Sequence, residues 1–464
     1  MCNARHRRRD GLTSMLVVVG VLVVGIGQTG CRPQATRTAA TLENRVDLGR
    51  GQLQVGGPYA GIEFHHSRPL PSRISFYYPV ANSIDLSTDY WQRDASMPFS
   101  ISLKVGDDRR TLGEEPYPYR ATPAWVTFEN EEASYLASLS YRFAATLPLM
   151  ALELAIVNRG SEPDSFSVDV GMRTVLRTSH AYEFKRPSRT EYYNGGLVYR
   201  ASFEDSDADS ADVFVLNAGA VPTRVGLGAS GEGDTTADDP AFSYAALLSP
   251  GDTLRIVQLI GSCRTAEFDA VSRRARKEWR EDVDRYERHV RRYALDTFPI
   301  SVPDSVLVRT DRWSRAILAA NSHYLDGHIV PMPTPAQYNF FFTHDLLLTD
   351  LGAVYYDTSR VAHDLRYIAD LAAPDSVLPH AYYWRNGGYI TEHAGSDNWN
   401  HLWFILLSSS YLKHSGDREL LIRLLPMIRQ SMRFMDSNVH EGLMHSERPD
   451  WWDIGHVYGA RSYL

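Results

Sequence analysis

Cysteine is almost absent: Cys2, Cys31 and Cys263 are the only three in 464 residues. So few thiols exclude a disulfide framework and a cysteine-built metal centre, and stability has to come from core packing. Basic charge is also scarce, with 48 Lys and Arg against 56 Asp and Glu and a formal net charge of −8. No nucleic-acid partner is expected of such a chain. There is no serine-centred G-x-S-x-G elbow, no P-loop and no H-E-x-x-H helix, which sets aside serine-nucleophile hydrolysis, NTP hydrolysis and zinc-protease chemistry. The frequent histidines, among them His380, His393, His401, His445 and His456, lack i, i+4 pairing with a helix-borne acid and read as hydrogen-bonding groups. No metal and no cofactor is expected.

A long apolar run is missing too. The run from Leu12 to Ile26 is about 15 residues, short of the roughly 20 that a membrane-spanning helix needs. Arg5, Arg7, Arg8 and Arg9 precede it, and Gly27, Gln28, Thr29, Gly30 and Cys31 follow. That order reads as an export signal over residues 1–30. The residues around Cys31 resemble a bacterial lipobox, with Gln28 where Leu is preferred. The resemblance implies lipidation at Cys31 and an exported protein held to a membrane by its lipid, at the periplasm or the cell surface. Removing residues 1–30, with four Arg and one Asp, takes the formal charge from −8 to −11.

What is present is a hydrophobic content of 44%, enough for more than one packed core. After a tether over 31–45, residues 46–264 read as strands. Leu152, Leu154 and Ile156 alternate with polar or small residues, Asn158 to Gly160 turn, and Phe166, Val168, Val170 and Met172 alternate again. Period-2 runs separated by turns predict an antiparallel β-sandwich. Glu204 to Asp212 and Glu232 to Pro240 read as solvated loops. The first fails as a calcium loop despite Asp205, Asp207 and Asp209, since Ser210 stands where Gly is needed and Leu216 where Glu is needed.

At Thr265 the period changes to 3.6, and Phe268, Val271, Ala275, Trp279, Val283, Tyr286, Val290 and Tyr293 mark one linker helix over 265–299. The rest, 300–464, reads as helical, near Asp304 to Tyr324, Thr343 to Tyr356, Arg360 to Ala372, Asn398 to Ser415 and Asp417 to Ser437, with another after Asp453. The run Leu402 to Leu407 predicts a helix buried on most sides. Leu421, Leu424, Leu425, Ile428, Met432 and Met435 predict the buried face of the helix capped by Asp417, and Pro426 should bend it. Five helices and the start of a sixth read as an α/α toroid cut short.

Three clusters between these helices combine aromatics with carboxylates, amides and imidazoles: Tyr338 to Asp345 (YNFFFTHD), His380 to Asn400 (HAYYWRNGGYITEHAGSDNWN) and Glu441 to Tyr458 (EGLMHSERPDWWDIGHVY). Sugars present apolar ring faces edged by hydroxyls, so their sites need aromatic platforms beside such hydrogen-bonders. The candidate sugar-binding residues are Tyr338, His344, Asp345, Trp384, Asp397, Trp399, Trp451 and Trp452.

Over roughly Val46 to Leu464 these features resemble the six-hairpin glycosidases, the group that holds bacterial glucoamylases and the α-1,6-glucosidase part of glycogen debranching enzymes. YNFFFTHD is similar to the family segment that ends in an Arg-Asp pair on the terminal sugar. Here His344 stands in place of Arg, and Asp345 matches. Asp397, Asn398, Trp399 and Asn400, followed by an apolar helix and Ser415, Gly416 and Asp417, look like the family's fourth helix and turn. Trp451, Trp452 and Asp453 resemble the Trp-x-Asp motif of debranching-type glucosidases. The resemblance makes Asp453 the general acid, with Glu447, as in glucoamylases, and Asp450 as alternatives. Burial between tryptophans disfavours the charged form, as an acid that must hold its proton requires.

The implied function is hydrolysis of the terminal glycosidic bond of an oligo- or polysaccharide by two carboxylates. Weak turnover is expected of this stretch alone, because the family's second carboxylate comes from a late helix of the ring. Two alternatives accompany this reading: a sugar phosphorylase of the same architecture, and a non-catalytic glycan-binding lipoprotein.

Overall fold

The strand Leu149–Asn158 sends Met150, Leu152, Leu154 and Ile156 into one hydrophobic core and Leu149 and Ala151 into another. It does so because the sheet it belongs to is covered on both faces. The computed structural model describes residues 42–47, 49, 51–79, 84–86, 97–113, 115–172, 175–178, 185–187, 189–202, 210–227, 240–296, 300–336, 341–372, 377–385, 388–392, 395–396, 398–446 and 462–463.

Three antiparallel sheets of nine, five and six strands build the N-terminal half. In the nine-stranded sheet Leu149–Asn158 pairs with Tyr135–Phe143 and with Thr253–Arg264. In the five-stranded sheet Asp164–Met172 pairs with Ala241–Leu248 and Phe99–Val105. Their inner faces share one core that takes in Leu152, Leu154, Phe166 and Val168. The β-sandwich read from the alternation is thus present. The first acidic loop ends earlier than its composition suggests, because Ser210 to Asp212 already belong to the strand Ser210–Asn217.

The outer face of the nine-stranded sheet is covered by helix α1, Phe268–Leu295. Phe268, Ala275, Trp279 and Val283 pack on Phe214, Leu216, Leu259 and Cys263. Each large side chain buried there stabilises by about 1.5–3 kcal/mol relative to exposure. With both faces covered, Val257 to Cys263 is buried residue after residue and loses the alternation. Asp282, itself 3% exposed, accepts from the backbone N–H groups of Thr146 and Leu147 at 2.8 Å each and fixes α1 to the 144–148 turn.

Five helices follow: α2 Ser305–Ala320, α3 Thr343–Ala353, α4 Thr358–Ala372, α5 Asn400–Ser415 and α6 Arg418–Ser437. Asp304 caps α2 by accepting from Val306 and Leu307, and Asp417 caps α6 by accepting from Leu420 at 3.0 Å. Gly416 ends α5 in the left-handed conformation at φ 69°. Pro426 sits inside α6 without ending it.

The helical reading needs four corrections. Helix α2 stops at Ala320, and Ser322–Leu325 pairs with His328–Pro331 as a hairpin turning at Asp326 and Gly327, both at positive φ. Helix α3 stops at Ala353, three residues before Tyr356. The run Leu402 to Leu407 is not buried all round: Phe404 and Leu407 are, and Leu406 is exposed. On α6 the buried stripe is Leu420, Leu424, Met427, Ser431 and Met435, which leaves Met432 exposed.

The segment 333–336, leading to the aromatic cluster, lies on the sandwich. Ser75 Oγ lies 3.3 Å from the Ala336 carbonyl oxygen, Tyr77 Oη donates to that of Pro335, and the Tyr77 ring stacks on His323 at 4.1 Å. Burial holds His323 neutral, with its pKa down to about 3. Beneath them Arg73 pairs with Asp85, both fully buried, and Ser75 donates to Asp85 at 2.6 Å. This close seating requires Gly61: a Cβ there would lie 1.6 Å from Pro335 O and 2.7 Å from Tyr77 Oη. Gly61→Ala is therefore expected to destabilise by about 1–3 kcal/mol through overpacking. Gly352→Ala, in open space on α3, should change stability by less than about 1 kcal/mol. Chemical denaturation of both variants checks the pair, and equal effects would count against the clash.

Candidate functional site

Helix α3 opens directly from the two-residue strand Phe341–Phe342, which pairs with the start of Ala381–Arg385. That pairing carries the first turn of α3 to the segment 377–382. The Thr343 N–H donates to the His380 carbonyl at 2.9 Å. The His344 ring stacks on the His380 ring at 5.0 Å and 22°, and Phe342 meets His380 edge-on at 5.2 Å. Asp345 follows on the same turn, 3.4 Å from His344 Nε2, with its side chain 35% exposed. Burial pushes the Asp345 carboxyl up from the usual range, while His344 and its own backbone N–H pull it back.

A second helix start meets the same segment. Asn400 in the first turn of α5 donates to the Pro379 carbonyl at 2.8 Å, and Asn398 Oδ1 accepts from the Asn400 N–H at 2.9 Å. His401 Nε2 accepts from the Leu378 N–H at 3.3 Å, so its Nδ1 carries the proton and donates to Ser431 Oγ at 3.0 Å. His401 is thus a positioning group, buried and fully engaged. The N-terminal ends of α3 and α5 converge on the segment 378–382 that contains His380, and both bring partial positive charge to it.

Several buried polar atoms here have no hydrogen-bond partner among the described residues: Thr343 Oγ1, His344 Nδ1, Trp399 Nε1 and Asn400 Oδ1. Buried polar groups are nearly always satisfied, and these four, at two adjoining helix starts, are unmatched by the described residues. They supply donors and acceptors of both kinds beside the Asp345 carboxyl and the aromatic faces of Phe342 and His380.

Of the sequence-derived residues, the structure brings His344 and Asp345 together and sets Trp399 at the start of α5, half-buried. The backbone of Trp384 lies in Ala381–Arg385, opposite Tyr389. Tyr338, Asp397, Glu447, Asp450, Trp451, Trp452, Asp453 and Cys31 lie outside the described residues. His380 is the residue the sequence did not single out. Its cluster was legible, but its contact with His344 depends on a strand pairing between segments some forty residues apart.

No protein-family model matches this chain, and no curated protein does. Solved structures do. A protein assigned as a kojibiose phosphorylase, from the human microbiome, is 8% identical with a TM-score of 0.55, over 82% of this chain and 56% of that one. A bacterial glucoamylase complexed with acarbose is 10% identical with a TM-score of 0.46, over 87% of this chain and 59% of that one. This chain thus spans little more than half the length of either. The first likeness, together with the sheets and helices described above, shows the fold: an antiparallel β-sandwich followed by helices of an α/α toroid.

Proposed function

We propose that this protein holds the terminal sugar of an oligo- or polysaccharide beside His344 and Asp345 and cleaves the adjoining glycosidic bond with the help of a general acid. The observation that carries the reading is the Asp345 carboxyl at the convergence of two helix starts, next to unpartnered donors and aromatic rings. A carboxylate accepts from two sugar hydroxyls at once, and Trp399 Nε1 and the His344 ring add further hydrogen bonds. The Phe342 and His380 faces suit the apolar side of a pyranose.

The chemistry follows from the bond to be broken. A carboxylic acid donates its proton to the glycosidic oxygen as the C1–O bond breaks, and a nucleophile adds to C1. In hydrolysis the nucleophile is water, whose proton passes to a second carboxylate. In phosphorolysis it is inorganic phosphate, and the product is a sugar 1-phosphate. Hydrolysis is our first reading. The phosphorylase reading draws on the structure with a TM-score of 0.55, which is assigned to that class. Asp453 is our first choice for the acid, ahead of Glu447 and Asp450.

Incubating the protein with disaccharides of differing linkage, with and without inorganic phosphate, separates the two: free sugars alone mean hydrolysis, and a phosphate-dependent sugar 1-phosphate means phosphorolysis. Saccharide binding without turnover would favour the non-catalytic reading. Asp345→Ala tests the sugar site itself. Losing hydrogen bonds to a charged group should weaken saccharide binding about 10- to 100-fold in calorimetric titration. The fold should survive, because Asp345 is partly exposed and, among the described residues, its side chain pairs only with the adjacent His344. Unchanged affinity in a folded Asp345→Ala protein would remove this site from the proposal.

A further inference from the structure

A concavity lies between the linker helix and the first helices that follow it. It has a volume of about 520 Å³ and is formed by α1, α2, the hairpin 322–331 and the first half of α4. None of its residues belongs to the site around Asp345. From its lining we propose that this cleft is a separate binding site for a neutral saccharide of one or two sugar units.

Its size falls in the range of about 300–1,000 Å³ typical of small-molecule sites. Its lining includes the half-buried Tyr293 and the exposed Ile329, backed by the buried Tyr286, Ala319 and Pro331, so one side of a ligand meets aromatic and aliphatic surface. Tyr293 is stiffened edge-on by Tyr356 at 5.8 Å and accompanied by the His289 ring at 6.0 Å. A pyranose ring has the apolar face such a wall accepts.

The charges decide against an ion. Asp357 is already engaged, accepting from the Tyr293 and Ser359 hydroxyls at 2.6 Å each and from the Arg360 N–H at 2.9 Å. Arg360 is held by Asp350 and Asp364, at 3.1 and 3.6 Å. Arg285 is held by Asp282 at 3.0 Å and Glu281 at 3.5 Å. An anion would approach Asp357 and Asp364, and a cation would approach Arg285 and Arg360. A neutral polyol meets neither repulsion.

Two exposed imidazoles at the rim can address it. Burial and the neighbouring Arg292 keep His289 on the neutral side, leaving one donor and one acceptor nitrogen. His363 Nδ1 is bonded to Asp364 at 2.8 Å, which turns Nε2 outward. Such a site would hold a polysaccharide chain on the outside of the toroid while another part of it occupies the pocket. It differs from the proposed reaction centre in place, and it stands or falls independently.

Calorimetric or NMR titration with maltose and cellobiose as probes tests it. The wild type should bind at least one of them, and His289→Ala and His363→Ala should each weaken that binding about three- to tenfold, the loss of one hydrogen bond. His289 has no structural hydrogen bond among the described residues, so its variant decides if His363→Ala unfolds. Asp345→Ala is run in parallel. Binding that persists in Asp345→Ala and falls in His289→Ala supports the cleft, whatever becomes of the reaction centre. Binding that ignores both histidines and vanishes in Asp345→Ala overturns it, as does no binding of either sugar by the wild type.

Discussion

Asp453→Asn is expected to stay folded and to lose about 10²–10⁴ in turnover on unactivated glycosides, the size of a lost general acid. Aryl glycosides with good leaving groups need little protonation and should be cleaved with a much smaller loss. Two effects compete at this residue. Asp453 directly follows Trp451 and Trp452 in sequence, and its proposed role requires their bulk to exclude water from it, which would raise a carboxyl pKa. The residue also precedes a stretch expected to be helical, and a helix start lowers the pKa of an acid placed on it. Desolvation has to win for the acid to hold its proton near neutral pH. If Asp453 instead only caps that helix, the variant should lose about 1 kcal/mol of stability and keep its specific activity. A ratio of rates on alkyl and aryl substrates, measured beside a thermal melt, distinguishes the two. Early melting with intact specific activity would move the role to Glu447.

How far the sequence led differs between the two halves, for physical reasons. In Leu149–Asn158 and Asp164–Met172 each strand turns one set of alternate residues into the core between the sheets, so period 2 was visible. The linker helix was legible for the same reason at period 3.6: Phe268, Ala275, Trp279, Val283, Tyr286 and Val290 are all buried. The hairpins among the toroid helices were missed although their turns are written in the sequence. Asp326-Gly327 and Glu441-Gly442 both take two successive positive φ values, and an Asp-Gly between apolar pairs is a strong hairpin signal. Reading everything after Pro299 as helix overrode it. The face of α6 was misjudged by one step, since Leu421 and Met432 were counted inward while Leu420, Met427 and the small Ser431 face the core. At the candidate site His344 and Asp345 were legible as a motif. The contact with His380 was not, because it arises from pairing distant in sequence.

Arg360→Met should be among the most destabilising single substitutions in the helical half, costing about 3–5 kcal/mol, because it leaves buried acids without their cation. The guanidinium donates to Asp350 at 3.1 Å and to the Leu318 carbonyl at 2.6 Å, and it lies 3.6 Å from Asp364, which links α4 to α3 and to the end of α2. Asp350 and Asp364 are 0% and 1% exposed, and one oxygen of each, Asp350 Oδ2 and Asp364 Oδ2, has no donor among the described residues. A proton retained by Asp350 turns its carboxyl into a donor. Burial and the Asp364 charge push the Asp350 carboxyl well above its usual range, against the pull of Arg360. The sign of the pH effect follows. A carboxyl whose folded pKa is raised contributes stability that is complete below its unfolded value, near 4, and is lost as pH rises through the folded one. Without Arg360 that loss should steepen, since nothing then favours ionisation. The destabilisation by Arg360→Met should therefore be smallest near pH 4 and grow as pH rises above it in denaturant titrations. Asp350→Asn copies the protonated form and should cost little while flattening the pH dependence. A penalty for Arg360→Met that stays constant as pH rises, or an Asp350→Asn protein as unstable as Arg360→Met, would show that Asp350 holds no proton there.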